Sequence, residues 1–238
     1  MKIVVMAPTY NERENIVELV QQLHENIPRA LVLIVDDSSP DGTFQEVKKM
    51  MKKDKRLRLL FRDRSIKGRG WAGRDGFVKS LAMGADIVVE MDADLSHQPK
   101  YIPALVSPIL QGKADVVIGS RYISGGKDMD RPLHRQLTSN LAKKYLKFVL
   151  GLKAADPTSG FRAFSKEALK KIDVHSLKAR DPFTVSEILY RCYQAGLSVR
   201  EVPIEFVDRT QGTSKLSLST LLNYLGKALR LRLGLKYE

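Results

Sequence analysis

Ile87-Val88-Val89-Glu90-Met91-Asp92-Ala93-Asp94 is a short apolar run that ends in a cluster of acids. Continuous Val and Ile over four or five residues suits a strand covered on both faces, the kind found in largely parallel sheets. The same composition recurs at residues 3–7, 31–35, 57–61 and 116–118. Helical patterns alternate with these runs. Ile16, Leu19, Val20 and Leu23 share one face after Asn15, and Phe44, Val47 and Met51 do so after Asp41-Gly42-Thr43. Strand-helix alternation over about the first 120 residues predicts an open α/β sheet. Ligands of such sheets bind beyond the carboxyl ends of the strands, where the acids of residues 90–94 lie.

Composition narrows the classes. The 238 residues, 43% hydrophobic, suffice for a packed core and exclude a disordered chain. Forty Lys and Arg against 27 Asp and Glu give a net charge of +13, a field that favours phosphates in nucleotides, nucleic acid or anionic lipid. A single cysteine, Cys192, excludes an internal disulfide framework and a cysteine-based zinc site. With no Asn-x-Ser/Thr acceptor, a reducing, cytoplasmic setting is expected. The longest uncharged stretch, residues 101–112, holds Pro103 and Pro108 and falls short of the roughly 18 apolar residues of a membrane span. Residues 2–7 are too short for a signal peptide, so any membrane contact is expected to be peripheral.

Beyond residue 120 a loop through Gly125-Gly126 leads to a predicted helix over about 132–150, with Leu133, Leu137, Leu141, Tyr145 and Phe148 on one stripe. A strand near 161–164, a helix around 185–195 and an alternating strand over 199–206 follow. No linker interrupts them, so residues 1–215 read as one domain. Residues 216–238 read as a basic amphipathic helix, with Leu218, Leu221, Leu222, Leu225 and Leu229 on one face and Lys227, Arg230 and Arg232 off it. Its leucines either pack on the domain or meet a membrane surface.

The segments after the strands carry the chemistry. Pro8-Thr9-Tyr10-Asn11-Glu12 either stacks on and bonds a nucleoside or is a plain loop with capping residues. In Asp36-Asp37-Ser38-Ser39-Pro40-Asp41-Gly42-Thr43, adjacent Asp36 and Asp37 cost energy unless a base amine, a ribose hydroxyl or a cation uses them. Asp92 and Asp94, one residue apart, project to one side of extended backbone and offer hard oxygens suited to Mg²⁺ or Mn²⁺ and hence to a diphosphate. Gly68-Arg69-Gly70-Trp71-Ala72-Gly73 matches the dinucleotide pattern literally, but residues 62–67 separate it from the third strand. It reads better as a glycine-permissive, cationic loop near a nucleotide diphosphate. Downstream, Arg121, Arg131, Arg135, Arg162, Arg209 and Lys215 supply cations suited to phosphate.

Taken in order, these strings resemble glycosyltransferase family 2, and within it the dolichol-phosphate mannose synthases. The likeness also takes in Gly119-Ser120-Arg121-Tyr122, Thr158-Ser159-Gly160-Phe161-Arg162, and Arg209 followed by Gly212 and Ser214-Lys215. The resemblance implies a GT-A fold with a mostly parallel central sheet flanked by helices. It implies an inverting, metal-dependent transfer of mannose from GDP-mannose to dolichyl or polyprenyl phosphate. By the same resemblance Pro8, Tyr10, Glu12 and Asp37 hold the guanosine, and Asp92 and Asp94 sit at Mg²⁺ or Mn²⁺ and the diphosphate. Arg121, Arg135 and Ser139 receive the lipid phosphate, and Arg209 and Lys215 close over both phosphate groups on a loop eased by Gly212. Some relatives keep a glutamine ligand where this chain has Ser96, leaving Ser96, His97, Gln98 or water as the third ligand. Asp156 lies near the segment where relatives with alcohol acceptors keep a base, and here it would orient arginines. The resembled family includes members with C-terminal membrane spans. Here the helix itself, a membrane-anchoring partner subunit or truncation would account for their lack, with the enzyme on the cytosolic face. A UDP-sugar glucosyltransferase acting on the same lipid is the nearest alternative. A nicotinamide-dependent oxidoreductase and a nucleic-acid-binding module are more remote, since one Trp and no recognisable motif argue against nucleic acid.

Overall fold

The computed structural model describes residues 1–63, 68–128, 133–207 and 218–237, with backbone alone for 133–139 and 218–221. Its strands are β1 (Ile3–Thr9), β2 (Leu31–Asp36), β3 (Leu57–Phe61), β4 (Ile87–Glu90), β5 (Val116–Ser120), β6 (Lys127–Asp128), β7 (Arg162–Ser165), β8 (Val199–Pro203) and β9 (Glu205–Phe206). The helices are α1 (Ile16–Asn26), α2 (Thr43–Met51), α3 (Arg69–Ala82), α4 (Ile102–Leu110), α5 (Leu133–Leu150), α6 (Lys166–Lys171), α7 (Thr184–Gln194) and α8 (Leu218–Arg232).

Seven strands form one sheet in the order β3-β2-β1-β4-β7-β5-β8, and β6 pairs with β9 in a small second sheet. All the pairings of the large sheet are parallel except those of β7, which runs antiparallel to both β4 and β5. That reversal matters for the site. The carboxyl ends of β1, β2, β4 and β5 share one rim, and the antiparallel strand brings its beginning, Gly160-Phe161-Arg162, to the same rim.

Each face of the sheet is sealed as the apolar runs require. α1, α2 and α4 bury Ile16, Leu19, Val47, Ile102 and Leu105 against Val5, Val32 and Ile34 on one side. On the other, α3, α6 and α7 bury Phe77, Leu169 and Ile188 against Met6, Val35 and Val88. The β1–β3 and β5 runs were legible to within one or two residues, whereas α3, α4 and α6 were not expected. The glycines of α3 obscured its period, and they are there for close approach. A Cβ on Gly70 would stand 2.2 Å from the Ala179 carbonyl oxygen and 2.9 Å from that of Asp181. Gly70→Ala is expected to cost about 1–3 kcal/mol, the usual penalty of overpacking, read as a lowered urea midpoint. An unchanged midpoint would mean that the 179–181 backbone yields freely.

The apolar stripes of α5 and α8 divide between the interior and solvent. In α5, Leu141 and Phe148 are 70% and 90% exposed, while Leu146 and Leu150 are buried. In α8, Leu222 and Leu229 face solvent, and the inner face is instead Ala228 with Tyr224 and Leu231. The reason is tertiary: besides Ala228 and Leu231, α8 docks through polar and aromatic groups. Tyr224 shares a hydrogen bond with Ser186 (2.7 Å), Lys227 pairs with Asp181 (2.6 Å), and the Tyr145 hydroxyl of α5 donates to the Leu225 carbonyl (3.3 Å).

Candidate active site

The rim turns are tightly tied. Asn11, Ser38 and Leu95, after β1, β2 and β4, each adopt positive φ, a conformation costly for side-chain-bearing residues and typical of sites where backbone shape is needed. The Asn11 N–H donates to Ser39 Oγ (3.1 Å) and the Glu12 N–H to Thr43 Oγ1 (3.0 Å), stapling the first turn to the second. Tyr10 is half exposed, Pro8 is half-buried beside it, and Glu12 Oε2 accepts from the Asn15 amide at 2.8 Å.

The adjacent acids are accounted for inside the protein. Asp36 is fully buried and accepts from Thr9 Oγ1 (3.1 Å), the Ser39 N–H (3.0 Å) and Ser39 Oγ (2.6 Å). Asp37 accepts from the Arg62 guanidinium and from the Gly68 N–H at 2.7 Å. Of the partners expected for adjacent acids, a cation is supplied from within the chain by Arg62, and two hydroxyls and two backbone amides add to it.

β4 ends at Glu90, so Asp92 and Asp94 stand on an irregular loop and not on extended backbone; positive φ at Leu95 turns that loop back. The alternation used to put the two side chains on one side does not apply. What holds them is a set of specific bonds. Asp94 Oδ1 accepts from the Ser96 N–H (3.1 Å) and hydroxyl (2.5 Å), and the Asp92 N–H donates to His97 Nδ1 at 3.0 Å. Arg69 bridges buried Glu90 (2.5 Å) and Asp92 (3.2 Å). Burial opposes the charge on Arg69, but Glu90 and Asp92 outweigh it and raise its pKa. Gly68-Arg69-Gly70 is thus the start of a helix rather than a loop, and its cation does reach the acids. Burial also holds His97 below the ordinary imidazole range, despite the neighbouring Asp92 and Asp94. His97 Nδ1 and the Ser96 hydroxyl are already engaged within the loop.

The donor set suits a hard divalent cation. Among the described residues no group of three or more His, Cys, Asp and Glu side chains is placed to hold a metal. Two carboxylates, with the Asp92 side chain 36% exposed, are nonetheless what Mg²⁺ or Mn²⁺ uses when substrate phosphates and water complete its shell. A cavity of about 550 Å³ opens at Arg69, which pairs with Asp92, and is lined by Gly68, Arg69, Arg180, Asp181, Pro182, Asn223 and Lys227. Gly160 packs close: a Cβ there would be 3.4 Å from Arg69 Nη2 and 3.8 Å from both Asp92 carboxylate oxygens.

Across the rim, Arg121 follows β5 and forms a buried bidentate pair with Asp156, Nε to Oδ2 at 2.7 Å and Nη2 to Oδ1 at 2.9 Å; Nη2 also reaches Thr158 Oγ1 at 3.2 Å. Burial pushes the Asp156 carboxyl up, but the Arg121 guanidinium outweighs it and holds the group below the usual carboxylate range. Asp156 therefore stays ionised, orienting an arginine. Arg162 lies elsewhere: it is fully buried and donates to the carbonyls of Val185 (2.6 Å) and Pro157 (2.9 Å), securing the segment that carries Asp156.

Arg131, Arg209, Gly212, Ser214 and Lys215 lie outside the described residues, and Arg135 and Ser139 are described by backbone alone, on α5. Sequence reading overlooked Glu90 as a partner, His97 as a backbone acceptor, Phe206 and Lys143. Lys143, four residues past Ser139 on α5, is buried with its amine over the Tyr122 ring next to Arg121. Its helical spacing from Ser139 was the one available signal.

The model of glycosyl transferase family 2 matches residues 4–173. A polyprenol monophosphomannose synthase of Mycolicibacterium smegmatis is 39% identical over 91% of this chain and 82% of its own length. An undecaprenyl-phosphate mannosyltransferase of Micrococcus luteus is 37% identical over 91% of this chain and 88% of its own. Among solved structures, glucosyl-3-phosphoglycerate synthase from Mycobacterium tuberculosis in complex with Mn²⁺, UDP-glucose and phosphoglyceric acid is similar, with a TM-score of 0.70 and 21% identity. The alignment covers 99% of this chain and 80% of that one. Its UDP complex aligns equally well, at TM-score 0.70. These solved structures speak to the fold.

Proposed function

Because the chain belongs to glycosyltransferase family 2 and is a glycosyltransferase of the GT-A fold, we propose that it transfers mannose from GDP-mannose to the phosphate of a polyprenyl or dolichyl phosphate, with inversion at C1. The mannosyltransferase relatives support the sugar and the lipid class. The observation that carries the reading is the pairing, on one rim, of the Asp92/Asp94 loop, held by Arg69, with an arginine fixed by a buried carboxylate.

In this reading Pro8, Tyr10, Glu12 and Asp37 frame the guanosine, and Asp92 and Asp94 hold Mg²⁺ or Mn²⁺. The bound cation would neutralise charge on the departing diphosphate. Arg69 keeps Asp92 oriented, and Arg209 with Lys215 adds positive charge at the leaving group. The acceptor phosphate, whose second pKa is about 6, is ionised near neutrality and attacks C1 without a general base. That agrees with Asp156 being committed to Arg121. Arg121, Arg135 and Ser139 aim the nucleophile, so catalysis is positioning and charge stabilisation.

A lipid acceptor brings the protein to a bilayer. Among the described residues no helix is long and apolar enough to cross one. α5 and α8 meet at Tyr145 and Leu225, leaving Leu141 and Phe148 of α5 and Leu222 and Leu229 of α8 facing solvent. Lys144, Arg230 and Arg232 are exposed on the same two helices. Apolar burial and attraction to anionic lipid then act together. Phe148→Asp combined with Leu229→Asp is expected to cut sedimentation with anionic vesicles about tenfold or more, given the combined loss of apolar insertion and added repulsion. Wild-type sedimentation in the double variant would exclude this face.

The function is tested by radiolabelled transfer to polyprenyl phosphate from GDP-mannose and from UDP-glucose, with Mg²⁺, Mn²⁺ or EDTA. Preference for UDP-glucose would move the enzyme to the glucosyl class, and full activity in EDTA would remove the metal.

A further inference from the structure

A column of stacked groups joins the two halves of the site. Phe161 stacks on His97 with centroids 5.0 Å apart and planes 20° from parallel, and Phe206 meets His97 edge-to-face with centroids 5.5 Å apart. The Arg121 guanidinium lies 5.1 Å from the ring centroids of both Phe206 and Tyr122, and the Lys143 amine lies over the Tyr122 ring. One end of the column grips the donor side, where His97 Nδ1 accepts the Asp92 N–H. The other end is the acceptor arginine.

Phe206 is itself braced. It belongs to β9, paired with β6, and its neighbour Glu205 binds Lys127 (2.8 Å) and the Tyr101 hydroxyl (3.4 Å). Ile204 anchors the segment to β5 by donating its N–H to the Ser120 carbonyl at 3.0 Å. A ring rooted in two sheets and wedged between His97 and Arg121 cannot shift without moving one of them.

We infer that His97 and Phe206 are positioning residues that set the spacing between the Asp92 loop and Arg121, and so the line of attack between acceptor phosphate and sugar carbon. The inference rests on the function proposed above. An in-line displacement between two anionic groups depends on that spacing, and a misplacement of about 1 Å can cost 10²-fold. Neither residue needs to touch a substrate. The ring of Phe206 supplies a face to the guanidinium that an aliphatic side chain lacks.

Two sets of variants separate positioning from mere filling of space. Phe206→Leu keeps apolar bulk without a ring, and Phe206→Tyr keeps the ring. Phe206→Leu is expected to lower kcat about 10²-fold, with the KM for nucleotide sugar within about threefold, and Phe206→Tyr to recover most of the rate. At position 97, His97→Asn retains an acceptor near the Nδ1 position, whereas His97→Phe retains only the stack. His97→Phe is expected to weaken Mn²⁺ binding, followed by electron paramagnetic resonance with nucleotide diphosphate present, by about tenfold or more, the range for residues that orient ligands from behind. His97→Asn should bind Mn²⁺ within about threefold of wild type, since the Asp92 N–H keeps its acceptor, but lose kcat as Phe206→Leu does, because the ring that meets Phe206 is gone. Equal rates for the Leu and Tyr variants, or equal Mn²⁺ affinities for the Phe and Asn variants, would overturn the inference. A wild-type protein without polyprenyl-phosphate transfer would instead overturn the proposed function, and the Mn²⁺ titration would still decide the role of His97.

Discussion

Asp94→Asn is expected to lower divalent-dependent sugar transfer by about 10³-fold, the scale of losing a preorganised charge interaction at a developing leaving group. The substitution is nearly isosteric, and its Oδ1 can still accept from the Ser96 N–H and hydroxyl, which now do so at 3.1 and 2.5 Å. The loop should keep its shape, and the urea midpoint should stay close to wild type. Asp92→Asn should behave alike in transfer but also loosen Arg69, whose Nη2 lies 3.2 Å from Asp92 Oδ1. Transfer at the wild-type rate by Asp94→Asn would sink the assignment of this pair to the metal.

Replacing Arg121 is expected to damage folding as well as transfer. Arg121→Ala leaves Asp156 fully buried with its principal countercharge gone, a change that costs about 3–5 kcal/mol when one partner of a buried pair is removed. The functional contribution is better isolated in the double variant Arg121→Gln with Asp156→Asn, which keeps hydrogen bonding and removes both charges. That variant should regain much of the stability, bind nucleotide sugar within a few-fold of wild type by calorimetry, and still fail to use polyprenyl phosphate. Equal loss of donor and acceptor binding would move Arg121 to the donor side.

The pair also has a pH signature. The folded-state pKa of Asp156 is lowered, burial being outweighed by Arg121, so its stabilising contribution is present above the unfolded value of about 3.9 and is lost as pH falls below it toward the folded value. Asp156→Asn should flatten the acid limb of the stability profile in that window. An unchanged acid limb would mean that other carboxylates govern acid unfolding.

Much of the α/β order was legible because continuous Val and Ile runs have few other uses in a chain of this size. The failures are equally physical. Repeated glycine in α3 serves a backbone contact with residues 179–181 and blurs the helical period. Apolar periodicity grouped Leu141 with Phe148 and Leu222 with Leu229 but does not say which stripe faces inward; in α5 Leu146 and Leu150 are buried, and in α8 Tyr224, Lys227 and Ala228 make the inner contacts. The acids after the strands were found by placement, but their partners were not. Arg62 with Asp37, Arg69 with Glu90, and Arg121 with Asp156 are 25, 21 and 35 residues apart.

From the order of residues alone came the parallel architecture, the rim and the acids and arginines that populate it, since these depend on local composition and on where strands stop. Folding in three dimensions decided which charges are consumed internally and which oily side chains are left facing outward. It also decided that a phenylalanine from a two-residue strand would stand between His97 and Arg121. Those outcomes depend on contacts between segments far apart in the chain, and no local pattern records them.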